Sequence, residues 1–195
     1  MTVHRSRAVI TILLSLVSTG FAEPQSGGTI DQPTQAQVPA NPPPATKMEA
    51  FKPAAGSVIT FGYNNLGAVK GVLVDVREMR DTKGASVRGL QVEVYQSEHS
   101  KDRSFVDADE IPELVKGIDA LLEVKSNPTQ FENFEVRYAT HGELQLTAYN
   151  DNRGQIGYSV KAGRLIGVNA FLTATDMRQL RHLFDAASQK LANIK

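Results

Sequence analysis

Phe105 to Lys125 reads F-V-D-A-D-E-I-P-E-L-V-K-G-I-D-A-L-L-E-V-K, and Phe171 to Ala187 reads F-L-T-A-T-D-M-R-Q-L-R-H-L-F-D-A-A. Laid over each other at an offset of 66, the stretches match in plan: Phe105 meets Phe171, Asp107 meets Thr173, Glu110 meets Asp176, and Asp119-Ala120 meets Asp185-Ala186. The apolar positions agree too, Ile111 with Met177, Leu114 with Leu180 and Ile118 with Phe184. Each copy is therefore read as a helix entered from a strand, opened by a capping residue with an acidic residue three places on. The same offset lays the alternating Leu90, Val92 and Val94 on Ile156, Tyr158 and Val160, the inward positions of a strand. Agreement in cap, core and preceding strand exceeds what helical periodicity requires, and the chain is read as a tandem duplication.

In the first half, Ser57 to Tyr63 reads as a short strand ended by the turn-forming Asn64-Asn65-Leu66-Gly67. Val69 to about Arg80 follows as a second strand, with Val72, Val74 and Val76 on one face. Asp81-Thr82-Lys83-Gly84 turns the chain into a third, Ser86 to Ser97. Glu98 to Arg103 reads as a polar turn and Ser104 to Val106 as a short fourth strand. The helix begins at Asp107, or at Asp109 if Pro112 is to fall in its first turn. Its stripe of Ile111, Leu114, Val115, Ile118, Leu121 and Leu122 has to be buried. Ser126-Asn127-Pro128 stops it.

The second half repeats the plan. Gln130 to Thr140 alternates Phe134, Val136 and Tyr138 with Glu135 and Arg137, His141-Gly142 is a tight turn, and Glu143 to Tyr149 turns Leu144 and Leu146 inward. Asn150 to Gly154 is a strong turn, followed by strands Gln155 to Lys161 and Leu165 to Leu172 and a closing helix from Thr173 to about Asn193. A four-stranded meander with one helix has one sheet face still to cover. Two such halves can cover each other. The expected fold is α+β, two antiparallel ββββα repeats (about 57–126 and 127–195) packed around a pseudo-twofold axis into one domain. In element order this resembles the whirly-type fold, whose known members bind single-stranded nucleic acid. The resemblance covers 57–195, implies crossed sheets, and carries over no binding residue because it lies in topology alone.

Before this domain, residues 1–22 read as a secretory signal: His4, Arg5 and Arg7 give a basic start, Ala8 to Val17 an apolar run, and Gly20-Phe21-Ala22 the small residues of a cleavage site. The apolar run is short of the roughly 20 residues that span a bilayer, so a cleaved leader is expected, with no transmembrane anchor afterwards. The protein is expected to be exported, periplasmic or secreted. Residues 23–56 hold seven of the nine prolines, including Pro42-Pro43-Pro44, and read as a disordered Pro-rich linker.

The charge balance, 21 basic against 21 acidic residues in 195, gives no overall field to draw in polyanions. Nucleic acid is for that reason a secondary option. With no cysteine, disulfides, thiolate metal sites and thiol nucleophiles are excluded. His99, His141 and His182 share no metal-ligand spacing, and neither a G-x-S-x-G turn nor a nucleotide-binding glycine loop occurs, so no metal or cofactor is expected. Asp107, Asp109 and Glu110 could hold a metal or divide acid and base roles, but at a helix start they read more simply as cap and macrodipole partners. Asp151 between Asn150 and Asn152 has part of a calcium loop and lacks the acidic residue that completes one.

The ligand-binding candidates are Tyr149, Arg153, Tyr158 and Lys161, a small stacking and cationic surface for a strand of nucleic acid or a glycan. Ordinary cross-strand pairing is the plainer account of them. The expected function is a non-enzymatic binding or interaction module that holds a protein or ligand along a sheet face or the groove between halves. Single-stranded nucleic-acid binding and an enzyme with a site at the seam are the alternatives.

Overall fold

The computed structural model describes residues 43–164 and 166–194. The expected leader, 1–22, and most of the expected linker lie outside them. A short helix α1 (Lys47–Ala50) precedes β1 (Ile59–Val69), β2 (Val72–Asp81), β3 (Ser86–Ser97), β4 (Ser100–Asp107) and α2 (Ile111–Leu122). Then β5 (Glu135–Ala139), β6 (Gln145–Asn150), β7 (Ile156–Ala162) and β8 (Val168–Leu172) lead into α3 (Ala174–Ala192). The strands form two four-stranded antiparallel sheets, each in chain order. The fold is α+β with two ββββα-like units, as the sequence leads one to expect.

The central hairpins of the two sheets share one turn. The Asp81 N–H donates to the Ala85 carbonyl and its carboxylate accepts from the N–H groups of Lys83 and Ala85. Asp151 makes the same three bonds with Gln155, Arg153 and Gln155. Gly84 (φ +96°) and Gly154 (φ +72°) supply the left-handed residue in each. Strand registers then fix which residues correspond. Val72, Val74 and Val76 pair with Val94, Val92 and Leu90; Leu146 and Ala148 pair with Val160 and Tyr158. Leu90 thus corresponds to Tyr158 and not to Ile156, because the second hairpin is shorter by two residues on each strand. A slip of two keeps every side chain on its face, which is why the ungapped overlay still finds the inward positions.

Those inward positions, with Ile111, Leu114 and Ile118 of α2 and Met177, Leu180 and Phe184 of α3, make one buried cluster. Each fully buried aliphatic contributes about 1.5–3 kcal/mol before entropy is subtracted. The helices cover the sheets crosswise: α2 packs on β5 and β6 of the other unit, and α3 packs on β1 and β2 of the other unit while also touching its own β7 and β8. Neither sheet is closed by its own helix alone.

Four details depart from the sequence reading. The end of the expected linker is folded: α1 carries a capping box between Thr46 and Glu49, and Met48 is buried over Gly89 on the outer face of the first sheet. A four-residue helix is too short to show a period, which hides it among prolines. Next, β1 runs through Asn64-Asn65-Leu66-Gly67 with a bulge between Asn65 and Gly67, and the reversal comes at Lys70-Gly71, both at positive φ, between the paired Val69 and Val72. Third, β4 starts at Ser100, because only Glu98 and His99 are needed to turn. Finally, α2 is capped at Glu110 with no side-chain cap bond, while its counterpart α3 has the full box of Thr173 and Asp176.

Candidate functional site

Strand parity divides the four ligand-binding candidates. Gly157, Ser159 and Lys161 of β7 face away from the core, while Tyr158 faces into it, 4% exposed, with burial pushing its phenol above the ordinary tyrosine range. Tyr158 is therefore a core residue and leaves the candidate set. Arg153 sits in the hairpin turn, its N–H given to Asp151. Tyr149 and Lys161 line one concavity on the outer face of the second sheet, two rows apart.

That face is concave, with a volume near 390 Å³, within the range of about 300–1,000 Å³ for small-ligand sites. Its floor is a grid set by register. One row runs Arg137, Thr147, Ser159, Phe171, and the next runs Gln145, Lys161, Asn169. Tyr149 lies over Gly157, where a Cβ would fall 2.8 Å from its ring, and meets Phe171 edge-on with centroids 6.4 Å apart. Phe171 is 66% exposed, an apolar platform open to solvent. Arg137 pairs with Glu135, whereas no described carboxylate lies within ion-pair distance of Lys161. The floor thus offers hydroxyls, amides, one apolar platform, the Arg137–Glu135 pair and, in Lys161, a cation with no described carboxylate partner.

Phe171, Thr147, Gln145, Ser159 and Asn169 escape a reading that looks only around one hairpin. Alternation along each strand marks outward positions, but the register that sets these residues side by side is not legible in the sequence.

The acidic cluster performs structural work. The Lys47 N–H donates to both carboxylate oxygens of Asp107, at 3.0 and 2.9 Å. The Lys47 ammonium meets Asp109 at 2.6 Å and holds that carboxyl below its usual range. Glu110 accepts from the N–H of His141 at 2.9 Å. These carboxylates tie α1 and the loop before β6 to the start of α2 instead of converging on one point. His99 and His182 are exposed and far apart in the chain. Among the described residues no three His, Asp or Glu side chains gather as metal ligands, and no helix is long and apolar enough to cross a membrane.

No protein-family model matches the chain, and no curated protein is similar to it in sequence.

Proposed function

We propose that the chain is an exported, non-enzymatic binding module that takes a ligand on the outer face of its second sheet. The observation that carries this reading is an asymmetry between the two sheets. On the first, Met48 of α1 lies over Gly89 and covers the outer face there. On the second, the atoms nearest the Cβ position of the corresponding Gly157 belong to Tyr149, and the concavity beside it is lined by strand residues with no described helix over it. A sugar ring suits such a floor: its C–H face on Phe171, its hydroxyls on Gln145, Thr147, Ser159 and Asn169, and an acidic substituent on Lys161. The topological resemblance supports a strand of nucleic acid instead, but one unpaired cation on this face is thin for a chain of phosphates.

Amide chemical shifts followed during titration with neutral oligosaccharides, acidic oligosaccharides and a short single-stranded oligonucleotide test the reading. Saturable shifts confined to the outer positions of β5 to β8, lost in Phe171→Ala, are expected from a saccharide. No shifts with any of the three, or shifts only elsewhere, count against it. An oligonucleotide response that collapses with added salt favours the alternative.

A further inference from the structure

The four edge strands of the two sheets are not equally protected. Edges are usually blunted by charge, proline, shortness or a cover, because their free backbone groups template pairing with another strand. Among the edges, β4 carries Lys101, Asp102 and Arg103, and β5 carries Glu135 and Arg137. β8 is five residues long, and the Gln96 side chain donates to its Asn169 carbonyl at 2.7 Å. Among the described residues β1 has none of these devices, and its straight part precedes the bulge after Asn65. It runs for eleven residues, and Val58 to Val69 contains neither a charge nor a proline. Phe61 is 63% and Tyr63 73% exposed. Among the described residues no backbone hydrogen bond falls on its outer edge.

The alternation of an antiparallel ladder tells which residues present that edge. The Thr82 N–H donates to the Val58 carbonyl, so Val58, and with it Thr60, Gly62 and Asn64, turn their polar groups toward β2. Ile59, Phe61 and Tyr63 turn theirs outward. The straight part of the strand, before the bulge that follows Asn65, is Ile59 to Asn65, and its midpoint is Gly62.

We infer that β1 pairs antiparallel with β1 of a second copy of this chain, about a dyad at Gly62, joining the two first sheets into one of eight strands. In that register Phe61 faces Tyr63 of the partner subunit, twice, as bonded cross-strand aromatic pairs. Thr60 faces Asn64 of the partner subunit, and the two glycines face each other. The segment is self-complementary about its own centre, and it carries no charge of its own to repel a second copy. A C2 contact of this kind is closed and needs no further subunits.

Sedimentation of the purified protein across a concentration series should show a monomer–dimer equilibrium. Phe61→Pro removes an outward N–H and one ring of each aromatic pair while leaving the bonds to β2 alone, and Phe61→Lys sets two like charges diagonally across the dyad; each should raise the dimer Kd at least about tenfold without changing the circular dichroism spectrum. Because the chain has no cysteine, Gly62→Cys should cross-link to dimer under mild oxidation, far faster than Phe131→Cys, a control 81% exposed. A parent that is monomeric at every concentration overturns the inference. So does a Gly62→Cys variant that cross-links no faster than the control, or a dimer that both Phe61 variants leave intact.

Discussion

The ring of Tyr138 on β5 lies against the backbone of Gly117 on α2, where a Cβ would fall 2.5 Å from the ring. Its counterpart is the contact of α3 with β1, where Leu183 corresponds to Gly117 and sits 3.4 Å from the Cβ position of Gly67. Register makes Gly67, paired with Val74, the counterpart of Tyr138, paired with Leu146. One helix–strand contact is small on the helix and large on the strand, and the other is the reverse. Gly117→Ala should therefore cost about 1–3 kcal/mol by overpacking. Combining it with Tyr138→Ala should cost less than the sum of the singles, and chemical denaturation of the four proteins in that cycle measures the coupling.

Arg181 on α3 joins the helices by gripping Asp119 of α2 through two parallel bonds while also reaching Asp185 on its own helix. The bond from Arg181 holds the Asp119 carboxyl below the usual aspartate range, against an opposing effect of burial. A carboxyl whose pKa is depressed by folding stabilises above its unfolded value of about 3.9 and loses that contribution as pH falls through the folded value. Asp119→Asn should lower Tm at pH 7 by about 2–4 °C. Thermal melts on the acid side of about pH 4 should show the gap between parent and variant closing.

Two glycines at turns should lose different amounts of stability to alanine. A Cβ on Gly142 would fall 1.9 Å from the Phe105 carbonyl oxygen, so the backbones of the two units must part. Gly154 has open space around it and only its φ of +72° to resist substitution. Gly154→Ala should cost about 1–2 kcal/mol, and Gly142→Ala should cost more than that and shift the amide resonances of Phe105 and Val106. Urea titration with heteronuclear spectra of both variants decides the order.

α1 carries a further expectation. A chain starting at Ser57 should be less stable than one starting at Pro43 by about 2–4 kcal/mol, because it exposes the surface under Met48 and leaves Asp107 without the Lys47 N–H. Parallel urea unfolding of the two chains tests this.

What the sequence reveals and what it hides follow from physical range. The Asp81 and Asp151 turns are legible because their bonds are made within five residues, and the Thr173 cap is legible for the same reason. Asp107 looks like the same cap but gives its carboxylate to Lys47, 60 residues away, and no local pattern announces that. Asn64 to Gly67 is the stronger local turn former, yet the register of Val69 with Val72 moves the reversal to Lys70-Gly71. At the candidate site, parity alone sends Tyr158 inward. Bringing Phe171 beside Tyr149 requires the pairing of three strands.

The central claim is that each unit is covered by the other's helix. Residues 43–126 and 127–195, expressed apart, should each lack dispersed amide resonances and a cooperative melt, and should recover both when mixed. Either half folding alone, with its own helix on its own sheet, would contradict the account.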